Sequence, residues 1–164
     1  MKNSLLLAIA LVLLGSSSVF SQGEIKLGIN GGLPMGDAKD ISDFNAGADI
    51  TYLFSLADIV EVGALAGYSH FFGKDGEEGD ISWEVDDFQF VPIAASGRVN
   101  LPFFFIGADL GYAIGVNDGN DGGVFYRPKV GITLGNLGLV ASYSGISIDE
   151  ATVSTLNIGL EFGL

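Results

Sequence analysis

The feature that most constrains this chain is a period-two alternation of apolar residues with small or polar ones, which recurs in eight separate segments. The clearest example is the stretch LNIGLEFGL, in which every second residue from Leu156 to Leu164 is large and apolar. Successive side chains of a β-strand point to opposite faces, so this alternation predicts strands that have one apolar face and one polar face.

The eight predicted strands span residues 24–33, 44–54, 59–71, 88–100, 103–115, 124–134, 137–144 and 156–164. The connections between them alternate in length. Short connections lie at 55–58, 100–102 and 135–136, and long ones at 34–43, 73–87, 116–123 and 145–151. Short turns at one end and longer loops at the other are typical of bacterial outer-membrane barrels, whose strands need about 9–11 residues to cross the bilayer.

The first residues predict an export signal. Lys2 precedes an apolar run at residues 5–14, and Val19 and Ser21 occupy the −3 and −1 positions of a cleavage site before Gln22. We therefore divide the chain into a signal peptide at 1–21 and a barrel domain at 22–164, the alternative for the first segment being an uncleaved anchor. The absence of cysteine excludes both disulfides and a lipid-modified N-terminal cysteine.

The polar faces of the strands decide between a membrane barrel, whose apolar side faces outward, and a soluble lipocalin-like barrel, whose apolar side faces inward. These faces hold mostly Gly, Ser, Ala, Asn and Thr with about one charge per strand, whereas a water-facing exterior carries many more charges. Buried charges need partners, so we predict a lumen charge network, although individual members could instead lie at the rims. Its members are Glu24, Lys26, Asp49, Glu61, Arg98, Asp109, Arg127, Lys129 and Glu161.

Aromatic residues near the strand ends predict two girdles of the kind found at membrane interfaces. The long-loop girdle would contain Tyr68, Phe71, Phe72, Phe88, Tyr112, Tyr126 and Tyr143, and the short-turn girdle Tyr52, Phe54, Phe104 and Phe162. Pro92 and Pro128 depart from ideal strands because proline cannot donate to the ladder, so we expect a bulge or a lost hydrogen bond at each.

Two resemblances follow from these residues. Asn157, Gly159, Phe162 and Leu164 match the C-terminal assembly signal of outer-membrane barrels, which implies recognition by the barrel-assembly machinery. Residues 22–164 resemble a small OmpA/OmpX-type barrel, and most of all the porin-family outer-membrane β-barrel domain of Bacteroidetes-type bacteria, through FVPIAASGRV and PKVGITLGNLGLVASYSG. This resemblance implies export through the secretory pathway, residence in the cell outer membrane, and contact with its lipid and lipopolysaccharide.

Acidic residues concentrate in the second long connection. This acidic surface loop contains Asp75, Glu77, Glu78, Asp80, Glu84, Asp86 and Asp87. A solvated, charged surface is the favoured interpretation, and weak binding of divalent cations by its oxygens is the alternative. The stretch DGNDGG does not fit the calcium-loop template, so we predict no metal site, and nothing in the sequence indicates a cofactor. The net charge of −13 argues against binding to nucleic acid.

An enzyme is not predicted, and no catalytic residue is assigned. The single histidine, His70, follows Ser69 on a predicted strand, so their side chains point to opposite faces and cannot form a nucleophile–base pair. An all-β, eight-stranded, antiparallel up-and-down transmembrane β-barrel is the predicted fold, and a structural or surface-interaction protein with a filled lumen is the predicted function.

Two other functions remain open from the sequence. One is a narrow channel for small or apolar solutes, as in OmpW-type barrels, because Phe103, Phe105 and Phe125 share the lumen-side phase of their strands. The other is a soluble lipocalin-like ligand carrier.

Overall fold

A computed structural model describes residues 23–78, 81–149 and 151–164, and the predicted signal peptide therefore lies outside the described residues. The main element is a closed antiparallel barrel of eight strands, which confirms the predicted fold class. Its strands are β1 (Gly23–Met35), β2 (Ser42–Ala57), β3 (Val60–Gly73), β6 (Phe88–Asn100), β7 (Phe104–Gly115), β8 (Gly123–Leu134), β9 (Leu137–Ile148) and β10 (Ala151–Gly163). Two further strands, β4 (Asp75–Glu78) and β5 (Ile81–Glu84), lie outside the barrel.

Each barrel strand pairs with the next barrel strand along the chain, and β10 pairs with β1 to close the ring. Around the barrel the order is β1, β10, β9, β8, β7, β6, β3, β2. The closing pair runs without interruption from Lys26 opposite Gly163 to Met35 opposite Ser154. Because both edges of the sheet are used in this pairing, the barrel leaves no open row of backbone donors and acceptors.

The last connection is shorter than the sequence predicted. Strand β9 extends to Ile148 and strand β10 begins at Ala151, so the predicted long connection at 145–151 is wrong. Ile146 is buried and Ile148 and Val153 are partly buried at this end of the barrel, and burial of these apolar side chains favours continuation of the sheet. Between β1 and β2 the chain forms one short helix, α1 (Ala38–Ile41).

A second, two-stranded sheet lies within the predicted acidic surface loop. It consists of β4 (Asp75–Glu78) and β5 (Ile81–Glu84), which pair antiparallel between β3 and β6. This hairpin was not predicted from the sequence. Among the described residues, no helix is long and apolar enough to cross a membrane.

The two faces of the barrel wall differ as the alternation predicts. The side chains at Ile29, Leu110, Ile158 and other apolar positions point outward and are exposed, while Asp109, Arg98 and their neighbours are buried in the lumen. Tyr68, Phe72, Tyr112 and Tyr143 are exposed near the loop end, and Phe104 and Phe162 near the turn end. This outward apolar surface suits a lipid environment and is the reverse of a lipocalin-like barrel, whose apolar side chains line the cavity.

Both strand prolines interrupt their ladders without shifting the register. Pairing between β3 and β6 stops after Ala66 opposite Ile93 and resumes with Ser69 opposite Phe90, so Pro92 lies in the gap. Pairing between β8 and β9 stops after Tyr126 opposite Gly145 and resumes with Lys129 opposite Ser142, so Pro128 lies in the second gap. The expected loss of a ladder hydrogen bond is therefore confirmed, and no bulge forms at either proline.

Candidate functional site

The most heavily charged region of the interior is centred on Asp109 of β7, a residue that is only 1% exposed. Asp109 Oδ1 accepts hydrogen bonds from Ser96 Oγ at 2.6 Å and from Lys129 Nζ at 2.8 Å, and its Oδ2 accepts one from Arg127 Nε at 2.8 Å. The contributing strands β6, β7 and β8 are neighbours, so the register brings these side chains to one depth. One carboxylate thus contacts two buried cations along one side of the lumen.

Arg127 also crosses the lumen. Its Nη1 donates to Asp49 Oδ2 at 2.8 Å, and Asp49 belongs to β2, which stands opposite β8 in the eight-stranded ring. A second brace joins Arg98 of β6 to Glu161 of β10, again opposite strands, through two parallel hydrogen bonds of 2.8 and 2.7 Å. The two braces therefore run between perpendicular pairs of walls, and the second has the bidentate geometry that makes arginine–carboxylate pairs strong.

Arg98 is held on several sides. Its guanidinium lies 4.1 Å from the centre of the Phe105 ring, and its Nε lies 4.0 Å from a carboxylate oxygen of Glu61. The Phe105 ring packs against the backbone of Gly131, where an added Cβ would lie 2.5 Å from the ring. A glycine at 131 therefore leaves the space that the Phe105 ring needs to contact Arg98.

Lys26 and Glu24 form a separate pair near the turn end of the barrel, 2.7 Å apart. With this pair, all nine predicted members of the lumen charge network are placed: each has an oppositely charged partner within 4.0 Å. The pairs differ in burial, because Glu24 is 40% exposed while Asp109 and Arg98 are almost completely enclosed. Glu24 is thus a rim residue, one of the two environments that the sequence left open.

The loop half of the lumen contains a cluster of buried apolar side chains, of which only Phe125 was placed on the lumen side from the sequence. Phe71 stacks on Phe88 with ring centres 4.7 Å apart, and Phe90 meets both rings edge-on at 5.8 and 6.0 Å. We call the buried set the phenylalanine plug; it comprises Leu65, Phe71, Phe90, Ala94, Ala113, Phe125 and Ile146, with Phe88, Ile148 and Val153 packed against it.

The phenylalanine plug corrects two predictions. Phe71 and Phe88 do not belong to the outer girdle, because their rings lie inside the barrel. Phe103 does not reach the lumen, because the strand β7 begins one residue later and leaves it 83% exposed in the turn. The alternation along β3 already places Phe71 inside the barrel. Glu61, Ser69 and Phe71 all occupy odd-numbered positions of this strand, and Glu61 and Ser69 face the lumen.

Little space remains between these side chains. One interior cavity of about 30 Å³ is lined by Asp49, Arg127, Lys129 and Glu161, among others. A second, of about 20 Å³, is lined by Asn45, Asp49, Arg127 and Asn157, among others. Each is large enough for about one water molecule by the usual criterion. Neither cavity is large enough for a lipocalin-type ligand.

The residues of the predicted assembly signal divide between the two faces of β10. Asn157 is buried in the lumen, where its Nδ2 donates to Ser144 Oγ at 3.0 Å, and Gly159 approaches Asn30 so closely that an added Cβ would lie 2.9 Å from the Asn30 Cβ. Phe162 and Leu164 face outward and are exposed. The same four residues are therefore also explained by their positions in the barrel wall. Recognition of this segment by assembly machinery stays a prediction.

Ser69 and His70 lie on opposite faces of β3. Ser69 Oγ accepts a hydrogen bond from Asn45 inside the barrel, whereas His70 lies outside, 2.8 Å from Asp87 and 3.2 Å from the Tyr68 hydroxyl. Asp87 also accepts a hydrogen bond from the Gly73 amide at 2.8 Å, so it ties the loop to the end of β3. Donation by the Gly73 amide and then by His70 holds the pKa of Asp87 below its ordinary value.

The acidic surface loop is described only in part. Asp75 lies on β4, Asp86 and Asp87 precede β6, Asp80 lies outside the described residues, and Glu77, Glu78 and Glu84 have described backbone only. Within the described residues, no group of three or more acidic or histidine side chains is arranged to hold a metal ion. Asp86, Asp87 and Asp118 line an open cleft between the loops, of about 570 Å³, together with Asn117 and Asn120.

Comparison with solved structures gives similar barrels. The chain is similar to the crystal structure of Ail, the attachment invasion locus protein of Yersinia pestis, with 16% identity, a TM-score of 0.58, and coverage of 87% of this chain and 98% of that one. It is similar to the N-terminal β-barrel domain of OprF from Pseudomonas aeruginosa, with 15% identity, a TM-score of 0.51 and the same coverages.

A de novo designed transmembrane β-barrel is also similar, with 10% identity, a TM-score of 0.55, and coverage of 88% of this chain and 98% of that one. A likeness that extends to a designed barrel shows the fold alone. No family model matches the chain. No curated protein matches it either. The chain thus has the fold of small eight-stranded transmembrane barrels.

Proposed function

We propose that this chain is an outer-membrane β-barrel with a structural or surface-interaction role, and that its lumen conducts no solute. The observation that carries the proposal is the arrangement of the wall: apolar side chains cover the outside, while the charge network and the phenylalanine plug fill the inside. A closed eight-stranded barrel of this kind leaves its loops as the part that can meet a partner.

Location in the outer membrane rests on the fold shared with Ail and the OprF barrel domain and on the sequence features of export. We further propose that the barrel contacts lipid and lipopolysaccharide and is inserted by the barrel-assembly machinery through the segment at Asn157–Leu164. Membership of the porin-family barrels rests on the segments FVPIAASGRV and PKVGITLGNLGLVASYSG. Absence of enzymatic activity rests on the separation of Ser69 from His70 by the barrel wall.

Heat-modifiability tests the location and the closed barrel together. The full chain is expressed in a Gram-negative host, outer membranes are isolated, and the protein is run on SDS gels with and without boiling. We expect it in the outer-membrane fraction, with a band that shifts on boiling because the closed barrel resists detergent. Recovery in the soluble periplasm without a shift would contradict the proposal.

Planar-bilayer recording tests the closed lumen. Purified, refolded protein should give no steady single-channel steps, because the interior cavities are of the size of single water molecules. Reproducible unitary steps that are absent from a boiled sample would support the narrow-channel alternative. The boiled sample controls for conductance by contaminants and by detergent.

A further inference from the structure

The turn end of the barrel exposes large apolar side chains at a place where water-facing turns are usually polar. We call this set the apolar rim; it comprises Leu56, Ile59, Leu101, Phe103 and Leu134, all of them exposed in or beside the three short turns. Those turns span 58–59, 101–103 and 135–136, and Asp58 is the one charged residue in them. Exposed apolar residues that cluster at one end of a protein mark contact with a protein or a membrane.

Hydrogen bonds hold the turns that carry the apolar rim. The Asn100 amide donates to the Ile59 carbonyl at 2.7 Å, which joins the turn between β6 and β7 to the turn between β2 and β3. The Asn136 carbonyl accepts a hydrogen bond from the Gly163 amide at 2.8 Å, which joins the third turn to the end of β10. Because the backbone of each turn is held in this way, the exposure of the rim is a property of the folded barrel.

Tyrosines mark the opposite boundary of the outer wall. Tyr112 is exposed on the outer face, and its hydroxyl donates to the Asp121 carbonyl at 3.0 Å. Tyr68 is also exposed there, with its hydroxyl 3.2 Å from His70 Nδ1, and Tyr126 occupies the outward phase of β8. Tyrosine is enriched at membrane–water interfaces because it combines an apolar ring with a polar hydroxyl, so these residues indicate the loop-side interface.

The separation between these tyrosines and the apolar rim equals one membrane crossing. Counted inclusively, the separations are ten, ten and nine residues for the segments Tyr68–Ile59, Tyr112–Phe103 and Tyr126–Leu134. A tilted membrane strand needs about 9–11 residues to cross the hydrocarbon core. With the tyrosines at one interface, the rim therefore lies at the other interface and not in the water beyond it.

We propose that the apolar rim is a lipid-binding surface, seated at the boundary between headgroups and acyl chains of the turn-side leaflet. This inference rests on the proposed membrane location. The rim continues the outward apolar wall, since Phe104 and Ile106, which follow Phe103 along the chain, are exposed on the outer face of β7. The three described turns contain no Lys or Arg, so burial of apolar area, and not attraction to anionic headgroups, would drive the contact.

Spin-label accessibility in phosphatidylcholine vesicles tests this inference. The chain contains no cysteine, so Phe103→Cys, Leu110→Cys and Asp118→Cys each provide a single thiol for a nitroxide. We expect the label at position 103 to collide more often with oxygen, which concentrates in the bilayer, than with a water-soluble nickel chelate. The label at position 110, on the outer wall, should behave in the same way, and the label at position 118, in an exposed loop, should show the reverse.

The control positions separate the possible failures. If the label at position 103 is as accessible to nickel as the label at 118, while 110 stays in lipid, this inference is overturned and the proposed function stands. Nickel access at position 110 as well would overturn the membrane location itself. Protection at position 103 that disappears when the protein is diluted with lipid would reveal contact with a second copy of the chain, which would also overturn the inference.

A substitution gives an independent test. Phe103→Ser removes an apolar side chain that is 83% exposed, so the barrel loses little internal packing. We expect it to lower the urea midpoint of unfolding in the same vesicles, because a lipid contact is lost. Val116→Ser, which removes an exposed apolar side chain at the loop end, is the matched control and should leave the midpoint unchanged. Equal midpoints for the two variants would contradict a lipid contact at Phe103.

Discussion

At the scale of single residues, the energetics of the lumen depend on Asp109. The variant Asp109→Asn leaves Lys129 buried beside an uncharged partner, since that ammonium has no other carboxylate within 4.0 Å among the described residues. Removing one partner of a buried ion pair typically costs about 3–5 kcal/mol, so we expect a loss of that size in the free energy of unfolding, measured by urea titration in lipid vesicles.

Asp58→Asn, in the exposed turn between β2 and β3, is the matched control and should change stability by less than about 0.5 kcal/mol. A double variant, Asp109→Asn with Lys129→Met, should recover part of the loss because the orphaned charge is removed. An unchanged unfolding free energy for Asp109→Asn would show that water reaches Lys129.

Two lumen glycines provide a second test at this scale. Gly131→Ala places a Cβ 2.5 Å from the Phe105 ring and 2.8 Å from the Leu139 carbonyl oxygen, so it should push the ring from Arg98 and strain the contact with β9, at a cost of about 1–3 kcal/mol. Gly138→Ala is the control, because its Cβ would meet nothing closer than 3.5 Å. Chemical denaturation of both variants measures the difference, and equal stabilities would mean that both the Phe105 ring and the Leu139 carbonyl move without cost.

At the scale of elements, the gap at Pro128 limits the ladder between β8 and β9. Pro128→Val restores an amide hydrogen on an outward-facing position and should close the gap, adding about 0.5–1.5 kcal/mol of stability for the new hydrogen bond. Hydrogen exchange is the measurement: the amide restored at position 128 should be strongly protected. Rapid exchange there would show that β9 is held away by something other than the missing donor. Pro102→Ala, in the turn between β6 and β7, should have little effect.

The tie between the loop and β3 depends on pH through Asp87. Its pKa is held below the ordinary value of 3.8, so the tie is fully present above that pH and is lost as the pH falls through the lowered pKa. Carboxyl ¹³C titration should give a midpoint below 3.8, and His70→Phe should raise it because one donor is removed. An unshifted midpoint in the wild-type protein would show that the Gly73 contact does not persist.

The sequence predicted strand phase well and strand ends poorly, for physical reasons that particular elements illustrate. Lipid and lumen impose opposite chemistry on alternate residues, so the two faces of β7 and β10 follow from period two alone. The extension of β9 to Ile148 was not predicted, because Ile146 and Ile148 place apolar side chains on the lumen phase and so break the alternation that marks the strand. The opposite-wall partners of Arg98 and Arg127 depend on the strand order and register of the closed ring, which no local pattern encodes.

At the scale of the whole molecule, the phenylalanine plug should exclude solutes from the loop end. The chain contains no cysteine, so a single introduced thiol reports access cleanly. Ala113→Cys, at a position with 0% exposure, should not react with a membrane-impermeant methanethiosulfonate reagent. Adding Phe71→Ala and Phe90→Ala should make it reactive, while Val116→Cys in the exposed loop labels in both backgrounds. Labelling of the thiol introduced at position 113 while the plug is intact would show that the plug opens.

The pairing of β1 with β10 has a consequence for how the barrel is made. The contacts that close the ring join the two ends of the described chain, so their formation has the largest entropic cost of loop closure of any strand pair in the fold. Until the last strand arrives, the partly built sheet has two free edges and an apolar face without lipid, the combination most prone to aggregation. Closure should therefore be the slow, late step of biogenesis, and protection of the nascent chain matters most just before it.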